Sequence, residues 1–138
     1  MKWTIKHQLS PDLFIVDCEG DFTAVDCNSM QDELLSQNDW QPGTGILLDY
    51  RDTNFAGVRV AELERVGVHH SEQNPLWGQS RMALLMKPGR DFGLARQYEL
   101  LHESTVSTAM MVFLKSEDAI DWLTRNDESV MVGNSQTV

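Results

Sequence analysis

A chain of 138 residues, 41% of them hydrophobic, is long enough to close one core without disulfides or a metal, and no apolar run approaches the roughly 18 residues of a membrane span. Eleven basic against 21 acidic residues leave a net charge of −10, which opposes non-specific binding to nucleic acid and anionic lipid. The two cysteines, Cys18 and Cys27, form no CxxC pair and the start has no apolar h-region, so no signal peptide is expected and the reading is reduced thiols in the cytoplasm.

Trp3 to His7 alternates apolar with polar, Ser10-Pro11-Asp12 turns, and Leu13-Phe14-Ile15-Val16 follows. This predicts a hairpin of one half-exposed edge strand and one buried strand, broken at Gly20-Asp21. A helix is predicted over 23–37, with Thr23 as cap, Asp26 in capping-box position, and Cys27, Met30 and Leu34 on one face. Residues 45–52 read as the central strand: Ile46, Leu47 and Leu48 are apolar on both faces, the turn Pro42-Gly43-Thr44 precedes them, and polarity arrives abruptly at Asp49. Thr53 or Asn54 is then the expected cap of a second helix over 58–73, whose Val60, Leu63, Val66, Gly67 and His70 share a face and which Asn74-Pro75 stops. A strand over 81–86, a turn at Lys87-Pro88-Gly89-Arg90-Asp91, a helix over 92–103 and a strand over 108–114 come next. Ser116 is the expected cap of a last helix over 117–125, with Glu117 and Asp118 in its positive first turn.

Strand, strand, helix and then three strand–helix units predict an α/β domain over 1–125, followed by a polar, flexible tail over 126–138. The fold class expected is a single mixed, mostly parallel five-stranded sheet with four main helices and an antiparallel first strand.

Several segments together resemble the SpoIIAA-like group related to STAS domains, over about residues 3–124. They are Gly45-Ile-Leu-Leu-Asp-Tyr-Arg51, Arg81-Met-Ala-Leu-Leu, Phe92-Gly-Leu-Ala-Arg-Gln-Tyr-Glu99, and Val112-Phe-Leu with Glu117-Asp-Ala-Ile-Asp-Trp-Leu123. The resemblance implies the mixed sheet just described, and roles in protein–protein regulation or in binding small and lipid-like ligands rather than catalysis. Anti-sigma antagonists of this fold carry a phosphorylatable serine after the central strand. Here the loop is Asp49-Tyr50-Arg51-Asp52-Thr53, with Thr53 its sole hydroxyl besides a tyrosine, so that switch is not carried over. A likeness in shape to CRAL-TRIO lipid-binding domains keeps apolar ligands in view.

Ligands of open α/β sheets bind at the carboxyl ends of the strands, which singles out the loops at 49–55 and 87–92. Arg51 is placed to grip a carboxylate or phosphate, with Asp49, Asp52 and Thr53 beside it, unless it serves only to pair with Asp49 or Asp52. Lys87 and Arg90 add a local basic spot, bordered by Phe55, Trp77 and Phe92 as cover for an apolar part. Leu76 and Trp77 are read either as a lid over that cleft or as side chains folded back on the sheet. His69 and His70 point to different sides of a helix and make no metal set, and the acids flanking both cysteines disfavour a thiolate. No nucleophile motif is legible. The expectation is therefore a non-enzymatic regulatory or ligand-binding module for a small acidic or lipid-like ligand, with no cofactor, metal or nucleic acid. A protein-interaction module, a homodimer and a peripheral membrane contact are the alternatives.

Overall fold

The computed structural model describes residues 1–125, so the tail expected over 126–138 lies outside the described residues. Five strands form one sheet in the order β1-β2-β3-β4-β5: β1 (Lys2–Leu9), β2 (Asp12–Asp21), β3 (Gly45–Asn54), β4 (Arg81–Leu85) and β5 (Ala109–Phe113). β1 pairs antiparallel with β2 and every later pair is parallel. The helices are α1 (Ala24–Leu35), α2 (Val60–Glu72), the single turn α3 (Asn74–Trp77), α4 (Arg90–His102) and α5 (Ser116–Leu123). The mixed α/β sheet read from the sequence is the architecture found.

The strand order never reverses, so connections of one hand place the intervening helices on a single face of the sheet. Ile46, Leu48 and Tyr50 of β3 and Met82 and Leu84 of β4 point to that face and join side chains of α1, α2 and α4 in the main core. The alternate residues, Leu47, Ala83 and Leu85, point the other way, where α5 covers them with Ala119, Ile120 and Leu123. An unreversed order has no switch-point crevice between oppositely wound halves, so the loops at the carboxyl ends get no cleft from topology alone.

Three local expectations are corrected. β3 does not end at Asp52 but runs to Asn54, because β2 also continues through Gly20 (φ 92°) to Asp21 and pairs with it. Thr53 and Asn54 are consequently strand residues and not helix caps. Asn54 Nδ2 donates to Asp21 Oδ1 at 2.9 Å, its Oδ1 accepts from the Ala56 amide, and α2 begins only after a turn at Gly57 (φ 82°), with Val60 exposed. Ser116 is the first residue of α5, whose cap position is Lys115. Pro75 does stop α2, but it also opens α3, since proline is tolerated in a first turn. The Thr23 cap is as read, accepting from the Asp26 amide at 3.1 Å.

At the end of α3, Trp77 is fully buried, stacked on His70 with centroids 4.4 Å apart and edge-on to Trp40 at 5.6 Å. His70 reaches Thr108 Oγ1 at 2.9 Å, while His69 points outward to Asp32. Gly67 lets α2 approach α4 closely: a Cβ there would run into the His102 ring, which is buried and within 3.2 Å of the Leu63 carbonyl.

Candidate functional site

The polar cluster at the end of β3 is a closed pair. Arg51 donates from Nε (3.0 Å) and Nη2 (2.9 Å) to the two oxygens of Asp49, whose Oδ1 also accepts the Arg51 amide at 3.0 Å. Burial pushes the Asp49 carboxyl up, but these Arg51 contacts outweigh it and hold the group below its usual range, while Asp49 in turn raises Arg51. The guanidinium fork that was to grip a ligand is thus filled from two residues away. Asp49 shares the sheet face of Leu47 and Leu85, away from the main core, and its partner Arg51 is exposed. Asp52 is exposed, whereas Thr53 is 1% exposed with its hydroxyl buried and unpartnered.

The loops near 55 and 90 do meet. Arg90 Nη1 donates to the Phe55 carbonyl at 3.0 Å, which ties the β3–α2 loop to the first turn of α4. Phe92 is half-buried against the main core, and Lys87 sits 3.9 Å from Asp91. Trp77 does not belong with them. It precedes β4, and its carbonyl accepts from Gly43, just ahead of β3, so it lies at the opposite end of the sheet. The lid reading of Trp77 is replaced by the folded-back one: an indole of that size, beside a break that Pro75 forces, is worth more buried than exposed.

What the carboxyl end does hold is a cavity of about 50 Å³ on the helical face, which the sequence reading missed. Its sheet wall is Leu48, Tyr50, Leu84 and Met86, and α2 contributes Leu63 and Val66. Phe22 and Phe55 stack at 5.0 Å, and Tyr50 meets Phe55 edge-on at 5.5 Å, building an aromatic wall. Half-buried Leu94 lies beside Ala95 on the α4 side.

The polar groups in this wall are few and buried. Tyr50 Oη lies 3.5 Å from Cys27 Sγ, and Gln31 Nε2 reaches the same sulfur at 4.0 Å. Gln31 Oε1 and Tyr98 Oη have no hydrogen-bond partner among the described residues. Burial pushes the Cys27 thiol up to about 11 and drives both phenols, Tyr50 and Tyr98, upward as well. Every group facing the cavity is therefore neutral at pH 7, offering hydrogen bonds and no charge. A Cys27 thiolate is disfavoured by burial above all, with neighbouring Asp26 a minor contributor to the flanking acids.

Only a signal in three dimensions finds this site, because its wall draws two or three residues from each of five separated elements, α1, β3, α2, β4 and α4, with Phe22 and Phe55 from the connections between them. The hint in the sequence was Tyr50, an aromatic hydroxyl in an otherwise aliphatic central strand.

Among solved structures, an uncharacterized protein from the DUF3478 family with a SpoIIAA-like fold, from Shewanella loihica PV-4, is similar to this chain with a TM-score of 0.59 and 16% identity. The likeness covers 88% of this chain and 92% of that one. The chain therefore has a SpoIIAA-like fold. No protein-family model matches it, and no curated protein is significantly similar.

Proposed function

We propose that this SpoIIAA-like domain is a non-enzymatic binding module that takes a small, mainly apolar ligand with one hydrogen-bonding group into the cavity between β3, β4 and the helices. The observation that carries the reading is the pair of orphaned atoms, Gln31 Oε1 and Tyr98 Oη, in a mainly apolar wall whose other polar side-chain atoms, Tyr50 Oη and Gln31 Nε2, are turned to the Cys27 sulfur. Buried polar atoms without partners cost about 1–3 kcal/mol each, and a ligand polar group between them recovers that cost. The cavity of about 50 Å³ is smaller than the roughly 150 Å³ that holds a benzene ring, so a guest of that size must widen it, and Met82 and Met86 in the wall allow this because unbranched thioether chains repack cheaply. The neutral state of every facing group supports binding over acid–base or nucleophilic chemistry. Arg51 is not part of the proposed grip, and the acidic-ligand form of the expectation gives way to a neutral one.

The test uses phenol and benzene as probes on the full chain. Phenol at about ten times its Kd is expected to raise Tm by roughly 3–6 °C, and benzene by less. Tyr98→Phe should narrow the difference between the two probes while the variant stays folded. The reading fails if neither phenol, benzene nor 1-hexanol, each near its solubility limit, moves the NMR signals of Leu84, Met86 or Tyr98.

A further inference from the structure

The two edges of the sheet are built differently. β1 carries Lys2 and Lys6 on its exposed side, the usual guard against another strand pairing there. β5 reads Ala-Met-Met-Val-Phe, with no charge and no proline, and its Met111 side chain is 40% exposed.

Register decides what that edge offers. Ala109 donates to Ser80 and Phe113 accepts from Met86, so Ala109, Met111 and Phe113 spend their backbone groups on β4. The N–H and C=O of Met110 and Val112 then point off the last strand of the sheet. Beside them runs a groove of about 220 Å³ between α4 and the start of β5, lined by Glu99, Glu103, Thr108, Ala109 and Met110. Arg96 holds Glu99 at 2.8 Å, but Glu103 is exposed at the carboxyl end of α4, where the helix dipole adds negative potential.

We propose that β5 is a docking edge for an extended, basic peptide segment of a partner protein, which adds as a sixth strand with a Lys or Arg against Glu103. Four features point to this occupant: a ladder at Met110 and Val112 that is unpaired among the described residues, an uncharged strand, an acidic groove alongside, and a chain of net charge −10 that disfavours a second copy of itself. The proposal is independent of the cavity.

The experiment measures amide hydrogen exchange of the full chain by NMR, with a capped heptapeptide of alternating Lys and Val as probe. Two controls carry Glu for every Lys, or Pro for every Val. At about ten times Kd the Lys-Val peptide is expected to slow exchange of the Met110 and Val112 amides about tenfold, with neither control doing so. Glu103→Gln, an exposed substitution, should weaken the peptide by about two- to fivefold. Any of these results overturns the proposal: no change at either amide with saturating Lys-Val peptide, an equal effect from the Glu-Val peptide, or protection of both amides in the dilute protein alone. The last would mean that the edge is already covered. Protection that grows with protein concentration instead of peptide would assign the edge to a second copy and overturn it as well.

Discussion

Two phenols in the cavity wall differ in their partners: Tyr50 Oη has a sulfur 3.5 Å away, and Tyr98 Oη has no hydrogen-bond partner among the described residues. Removing an unsatisfied buried hydroxyl relieves a desolvation cost, so Tyr98→Phe should leave the free protein unchanged or up to about 1 kcal/mol more stable in urea titration. Arg51→Ala removes a pair that is half in water, and its cost should stay below about 1 kcal/mol. A loss of several kcal/mol there would mean that Asp49 is far more dependent on its partner than its exposure implies. His70 titrates with a definite sign. Burial, and after it the neighbouring His102 and His69, lowers its pKa to about 4 from 6.5. The unfolded chain binds the extra proton first, so the contribution is complete above about pH 6.5 and disappears as pH falls toward 4, on the order of 3 kcal/mol in all. His7 runs the other way. Contact with Asp12, and less so Asp39, raises its pKa, so its contribution is present below 6.5 and is lost as pH climbs through the raised value. Urea midpoints at pH 7.5 and 5 check the first effect, and His70→Gln should flatten the difference.

At the scale of elements, the tightest joint is α2 against α4. Gly67→Ala sets a methyl into the buried His102 ring, and overpacking of that kind should cost about 1–3 kcal/mol. His102→Ala in the same chain makes room, so the double variant should be more stable than the sum of the two single losses, read from a double-mutant cycle. Most elements were legible because their periods are clean: Cys27, Met30 and Leu34 for α1, alternation in β1, apolar runs for β3 and β4. The far half of β3 was not. The register shifts between Asp17, opposite Asp49, and Glu19, opposite Asp52, which gives β3 one extra residue and leaves Arg51 and Asp52 both exposed between buried Tyr50 and Thr53, so the stretch imitates a polar loop. α3 escaped because four residues are too few for a period to register.

For the molecule as a whole, charge makes a plain prediction: at about 0.15 M salt neither duplex DNA nor anionic vesicles should retain the protein in a flotation or mobility assay. Among the described residues no helix is long and apolar enough to cross a membrane. Strand directions were readable from the alternation of elements, and with them the meeting of the loops near 55 and 90, whereas the unreversed strand order was not. Which face of the sheet each residue occupies was not readable either, and that parity leaves Arg51 exposed, away from the cavity under α1, α2 and α4. The hydrogen bond from Arg90 to the Phe55 carbonyl fastens two segments that border the cavity. Such a latch separates affinity from traffic: the guanidinium touches no guest, yet any guest that passes between these segments must wait for it to let go. Replacing it with alanine should shorten the residence time of phenol and speed its arrival in step, so that exchange quickens while occupancy at equilibrium stays as it was.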